Sequence, residues 1–200
     1  LAAALRKLWR NSNFRTVLTV AVIALVVLGF WLGTQSALNT PYPALAVKSG
    51  SMCTLQSGAC DGWTHPFAQT LHIGDLIIIQ GVDPADLNAD YPNSDIIVYH
   101  NPTNPDELIV HRIVAVTEEN GTFYFSTEGD GNGAKKWPDQ PDLIDHWSPV
   151  SQDLVIGKVV MRVPWVGHLV LFMRESPYGV PLVIVLAVLL IFVEVCRARN

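Results

Sequence analysis

Ser51 lies in VKSGSMCTL (47–55), His111 in LIVHRIVAVT (108–117) and Asp130 in STEGDGNG (126–133). A serine hydroxyl attacks a carbonyl only when a neighbour takes its proton, and histidine does this near neutral pH because its ordinary pKa is about 6.5. A carboxylate on the far ring nitrogen holds the tautomer and stabilises the imidazolium. Ser51, His111 and Asp130 supply nucleophile, base and acid in chain order, with Asp139 and Asp142 as further carboxylates downstream. Each residue also has a plain structural reading: a Ser-Gly-Ser turn, a half-exposed strand histidine and a glycine-rich loop.

The elements that would position these residues are strands. Gly-, Pro-, Asn- and Asp-rich turns separate β-branched runs at 76–80, 95–100, 108–117, 122–127 and 154–163, without a convincing amphipathic helix among them. Segments 81–94, 101–107 and 129–152 read as long loops. Asn120-Gly121 between two strand patterns predicts a tight hairpin of the primed type. Its Asn-Gly-Thr is also a glycosylation sequon, although the turn accounts for those residues without it. In such a hairpin Glu119 faces Thr122, and counting outward places His111 opposite Asp130, within reach across a ladder. A bulge would spoil that count.

Two apolar runs bracket the strands. The first, 16–33, carries no charge and is long enough as a helix to cross a hydrocarbon core of about 30 Å; the second, 178–196, has its acid, Glu194, near one end. The first exceeds the apolar stretch of a cleaved signal peptide, so it reads as an uncleaved anchor. Arg6, Lys7, Arg10 and Arg15 precede it, and Arg197 and Arg199 follow the second run, which predicts both termini on the cytoplasmic side of the cell membrane in a multi-pass chain. The expected divisions are a tail over 1–15, a transmembrane helix over 16–33, an extracytoplasmic β domain over 34–177, a transmembrane helix over 178–196 and a tail over 197–200. The central segment holds seventeen acids against seven bases, a net of about −10, which argues against nucleic acid as a partner.

Three cysteines are too few for a disulfide scaffold. Cys53 and Cys60 fall in the segment expected to be oxidising, which makes a disulfide closing that small loop the favoured reading. A zinc site built from Cys53, Cys60, His65 and His72 has no usual spacing, so no metal is expected. Serine chemistry requires no organic cofactor either.

Taken together, these pieces resemble a type I signal peptidase of the archaeal and endoplasmic-reticulum branch, in which histidine replaces the bacterial lysine. The matching motifs run in family order over about residues 14–170: SGSM at 49–52, GDLIII at 74–79, HRIV at 111–114, EGDGN at 128–132, IGKV at 156–159 and VPWVG at 163–167. The fold class that follows is mainly β, a signal-peptidase-like catalytic domain between two transmembrane α-helices. The resemblance implies that Ser51 is the nucleophile and His111 the general base. It also implies that Ser51 N–H and the Ser49 hydroxyl contribute to the oxyanion hole. The family's second aspartate falls six residues after the first, where this chain has Lys136; Asp139 is the preferred substitute, with Asp142 behind it. Which of Asp130, Asp139 and Asp142 orients His111 stays open, although the hairpin count favours Asp130.

The implied activity is a membrane-bound serine endopeptidase that removes signal peptides from preproteins after small residues. Its expected partners are preprotein signal peptides, the lipid bilayer and the protein-translocation channel. The alternative is a membrane-tethered β module without catalysis that binds or scaffolds a partner, a reading that Lys136 favours. The segment VPWVGHLVLFM, 163–173, is too short to span and reads either as membrane-facing surface or as core.

Overall fold

The computed structural model describes residues 12–53, 70–90, 93–131 and 149–199. Helix α1 (Ser12–Ala37) contains the first apolar run and extends past it at both ends. The strands are β1 (Ala44–Ala46), β2 (Leu76–Gln80), β3 (Ile96–Asn101), β4 (Asn104–Glu119), β5 (Thr122–Glu128), β6 (Val150–Ser151) and β7 (Val155–Val163), followed by α2 (Val166–Glu175) and α3 (Gly179–Arg199). Among the described residues one helical stretch, Phe14–Ala37, is long and apolar enough to cross a membrane. Val166–Glu175 and Gly179–Val193 pass that test only as a pair, bent by 102°.

The seven strands among the described residues form one antiparallel sheet in the order β1-β2-β7-β3-β4-β5-β6. β3 is central, and its consecutive residues Ile97, Val98 and Tyr99 are all essentially inaccessible to solvent. Successive side chains on a strand point to opposite faces, so the sheet is covered on both sides at this point. Val47, Met52, Leu71, Ile77, Ile79 and Val98 pack on one face. Leu87, Ile97, Tyr99, Ile113, Phe125 and Val150 pack on the other. Burial of this kind contributes roughly 1.5–3 kcal/mol per large apolar side chain.

The hairpin forms as the Asn-Gly pair requires. Asn120 and Gly121 have φ of 53° and 79°, and Glu119 pairs with Thr122. Positive φ at both central residues matches the right-handed twist of the strands. The pairing then runs straight as far as Ala115 and Ser126, where β4 carries one extra residue. Beyond that bulge Ile113 pairs with Thr127 and Arg112 with Glu128. His111 therefore does not face Asp130, because a one-residue slip turns every later side chain to the other side of the sheet.

Two other expectations are corrected. Residues 104–107 belong to β4 and not to a loop, since β3 turns into β4 through residues 102–103 alone. Residues 166–175 form a helix where no helix between the apolar runs was expected. Gly167 is buried against Asp75 O and Gly74 O, while Val166, Leu169 and Phe172 are exposed. Glycine there allows the helix to approach the turn before β2, because a Cβ would meet Asp75 O at 2.3 Å.

Candidate active site

The serine loop leaves β1 and is fastened at several points. Val47 N–H donates to Asp75 O and Gly74 N–H to Val47 O, both at 2.9 Å, which pins the loop to the Gly74-Asp75 turn. Asp75 is fully buried; its carboxylate accepts from His72 N–H at 2.8 Å and from the Arg162 guanidinium of β7. Burying a carboxylate is strongly unfavourable unless it is paired and hydrogen-bonded, and these bonds offset the penalty. His72 Nδ1 lies 3.3 Å from Arg162 Nη2. Among the described residues no group of three or more His, Cys, Asp or Glu side chains could hold a metal.

Past the pin, Cys53 N–H donates to Gly50 O at 3.0 Å, a turn with Ser51 and Met52 at its centre. Met52 is 1% exposed and plugs the apolar cluster beneath, so the residue after Ser51 anchors the turn in the core. Ser49 Oγ and Ser51 Oγ are 3.4 Å apart. Cys53 is buried and disulfide-bonded. Cys60 and His65 lie outside the described residues.

His111 comes from β4, opposite Ile97 of β3, and is 6% exposed. Its Nδ1 is 3.4 Å from Tyr99 Oη, and the two rings meet edge to face with centroids 6.4 Å apart. Tyr99 Oη is also 2.9 Å from Thr127 Oγ1 of β5. Burial pushes the Tyr99 phenol pKa above its ordinary value, with the Thr127 hydrogen bond pulling partly the other way.

The loop after β5 brings serine and histidine together. A Cβ placed on Gly129 would lie 2.3 Å from Ser51 O and 3.0 Å from His111 Nε2. Gly131 N–H donates to Ser51 O at 2.7 Å. The imidazole edge and the serine loop thus converge on a glycine, where a side chain would wedge them apart.

Asp130 has a different task from the one its position suggested. Its two carboxylate oxygens accept from Arg112 Nε at 2.7 Å and Arg112 Nη2 at 2.8 Å, a two-pronged pair with both side chains mostly buried. Arg112 Nη1 donates to Ser94 O at 2.9 Å. The Thr70 hydroxyl sits between Asp130 Oδ2, 3.2 Å away, and the Met52 carbonyl, to which it also hydrogen-bonds. Asp130 therefore ties β4 to the serine loop and makes no hydrogen bond to His111. The bulge is the reason, since it gives Asp130 to the face of Arg112. Asp139, Asp142 and Lys136 lie outside the described residues.

Sequence reasoning missed Arg112, Gly129, Tyr99 and Thr127. Arg112 and Gly129 stand inside quoted motifs and carried a signal. Tyr99 and Thr127 sit in ordinary strand sequence and are joined to His111 only by the sheet.

No protein-family model matches the chain. Several curated relatives do. The signal peptidase complex catalytic subunit SEC11 of Tuber melanosporum is 30% identical over 183 residues, covering 87% of this chain and 86% of the relative. The corresponding subunit of Sclerotinia sclerotiorum is 28% identical over 163 residues, 81% of each chain. SEC11C of Mus musculus is 26% identical over 174 residues, 86% of this chain and 79% of the relative. The order of motifs, the convergence of the serine loop with His111 and this extent of similarity lead to one conclusion: the chain belongs to the family of signal peptidase complex catalytic subunits.

Proposed function

We propose that the protein is a membrane-bound serine endopeptidase that cleaves signal peptides from preproteins after small residues. The observation that carries this reading is the meeting of Ser51 and His111 at Gly129. Ser51 Oγ attacks the scissile carbonyl while His111 Nε2 takes its proton. The oxyanion is stabilised by Ser51 N–H, which donates to no group among the described residues, and by the Ser49 hydroxyl beside it. His111 then returns the proton to the leaving amine, and water releases the acyl group by the same route. Asp139, or Asp142 behind it, is the carboxylate for His111, because Asp130 is engaged by Arg112.

The relatives are named as subunits of a complex, and we assign this chain to a similar assembly that takes preproteins beside the translocation channel. Its catalytic domain, 34–177, stands outside the cytoplasm between helices at 16–33 and 178–196, with both short tails inside. We assign Cys60 as the partner of the disulfide-bonded Cys53, a reading supported by the free state of Cys196. The test is cleavage of a labelled preprotein bearing an Ala-x-Ala site by the full chain in lipid. Ser51→Ala and His111→Ala should each abolish product, and full activity in either variant would refute the assignment.

A further inference from the structure

We infer that Tyr99 and Thr127 form a hydroxyl relay that supports the Nδ1–H tautomer of His111 alongside its carboxylate, so that the Nε2 lone pair is presented to Ser51. The inference rests on the reading of His111 as general base and adds two positioning residues to it.

A histidine that takes a proton at Nε2 must carry its own proton at Nδ1. Tyr99 Oη is 3.4 Å from Nδ1 and 2.9 Å from Thr127 Oγ1. The directions of the two bonds are therefore coupled. If Tyr99 donates its single proton to Thr127, its oxygen is left to accept from Nδ1–H, and Nε2 is bare on the side of Ser51 and Gly129. If Tyr99 instead donated to Nδ1, the proton would sit on Nε2 and the base would be blocked. Thr127 therefore acts on His111 through Tyr99.

The sheet makes the relay rigid. Tyr99 belongs to β3, His111 to β4 and Thr127 to β5, so the tyrosine side chain reaches across the middle strand. Tyr99 is 1% exposed and Thr127 3% exposed, which shields both hydroxyls from exchange with bulk water.

The experiment measures preprotein cleavage by full-chain variants of matched thermal stability, together with the nitrogen chemical shifts of His111. Tyr99→Phe should lower kcat by about tenfold with KM unchanged, a fraction of what a general base supplies. Thr127→Val should lower kcat comparably although Tyr99 is present, and should raise the population protonated at Nε2. Thr127→Ser, which restores the hydroxyl, should return kcat to within about twofold of wild type. The double variant should be no worse than the poorer single one. Wild-type kcat in folded Tyr99→Phe, or equal impairment in Thr127→Ser and Thr127→Val, overturns the relay. Should Tyr99→Phe fail to fold, the comparison of the two Thr127 variants decides the matter. Activity surviving in Ser51→Ala or His111→Ala would instead overturn the underlying assignment.

Discussion

Removing the Asp130 carboxylate should loosen the serine loop and leave the imidazole's own partners in place. The Arg112–Asp130 pair makes two charge-assisted bonds at 2.7 and 2.8 Å, with side chains 15% and 13% exposed. Hydrogen bonds to charged groups contribute about 1.5–3 kcal/mol each, net of their exchange with water. Breaking a buried pair on one side costs about 3–5 kcal/mol, because a charge is left behind. The small residual exposure lets water reach the orphaned guanidinium, which reduces this to about 2–3 kcal/mol for Asp130→Ala. Arg112→Ala should lose a similar amount, and the double variant should lose less than the sum, leaving a coupling of about 2 kcal/mol. Urea unfolding of the chain in detergent measures the stabilities, and preprotein cleavage run alongside measures the loop. Both single variants should lose activity in parallel, through a misplaced Ser51. If Asp130 instead oriented His111, Asp130→Asn would lower kcat by about 10⁴ with little change in stability, and Arg112→Ala would not follow it. That result, or a coupling near zero, would refute the reasoning.

Gly129→Ala places a methyl 2.3 Å from Ser51 O, so it should remove most cleavage activity while far-UV circular dichroism still reports the sheet. Gly121→Ala meets no atom within 4 Å but keeps a φ of 79°, so it should cost about 1 kcal/mol in thermal unfolding and leave cleavage unchanged. Tyr99 should make the fold sensitive to alkali. Its folded pKa is raised, so the native state holds the proton longer than the unfolded one, and stability that is full below pH 10 falls as pH rises through and beyond that value. Thermal melts from pH 9 to 11 should show a steeper decline for wild type than for Tyr99→Phe.

Five of the strands were legible because their patterns are simple, whereas β1 and β6, three and two residues long, are too short to carry one, and β6 falls in the segment 129–152 read as a loop. LIIIQ is β2 residue for residue, and Asn120-Gly121 announces the hairpin with its register. The serine and histidine were legible through motifs in a fixed order. The bulge was not, because it falls within IVAV, where every residue suits a strand and none marks the irregularity. That single residue undid the inferred partner of His111 while leaving the strand itself correctly placed. Helix α2 was hidden for another reason: Val166, Leu169, Val170 and Met173 are spaced for a helix, but Leu171 and Phe172 fill the gaps, so 169–173 reads as a short continuous apolar run. Tyr99 could not be tied to His111 in advance, since its reach across β4 depends on pairings to both neighbours.

The extra residue in β4 has a further effect on how charge is routed. An arginine keeps its positive charge at every pH at which the fold exists, whereas an imidazole gains and loses one near neutrality. By turning Asp130 toward Arg112, the bulge assigns the strut under the serine loop to the cation that does not titrate. In the proposed mechanism, proton transfer at His111 therefore does not pass through the bonds that hold the serine loop in place.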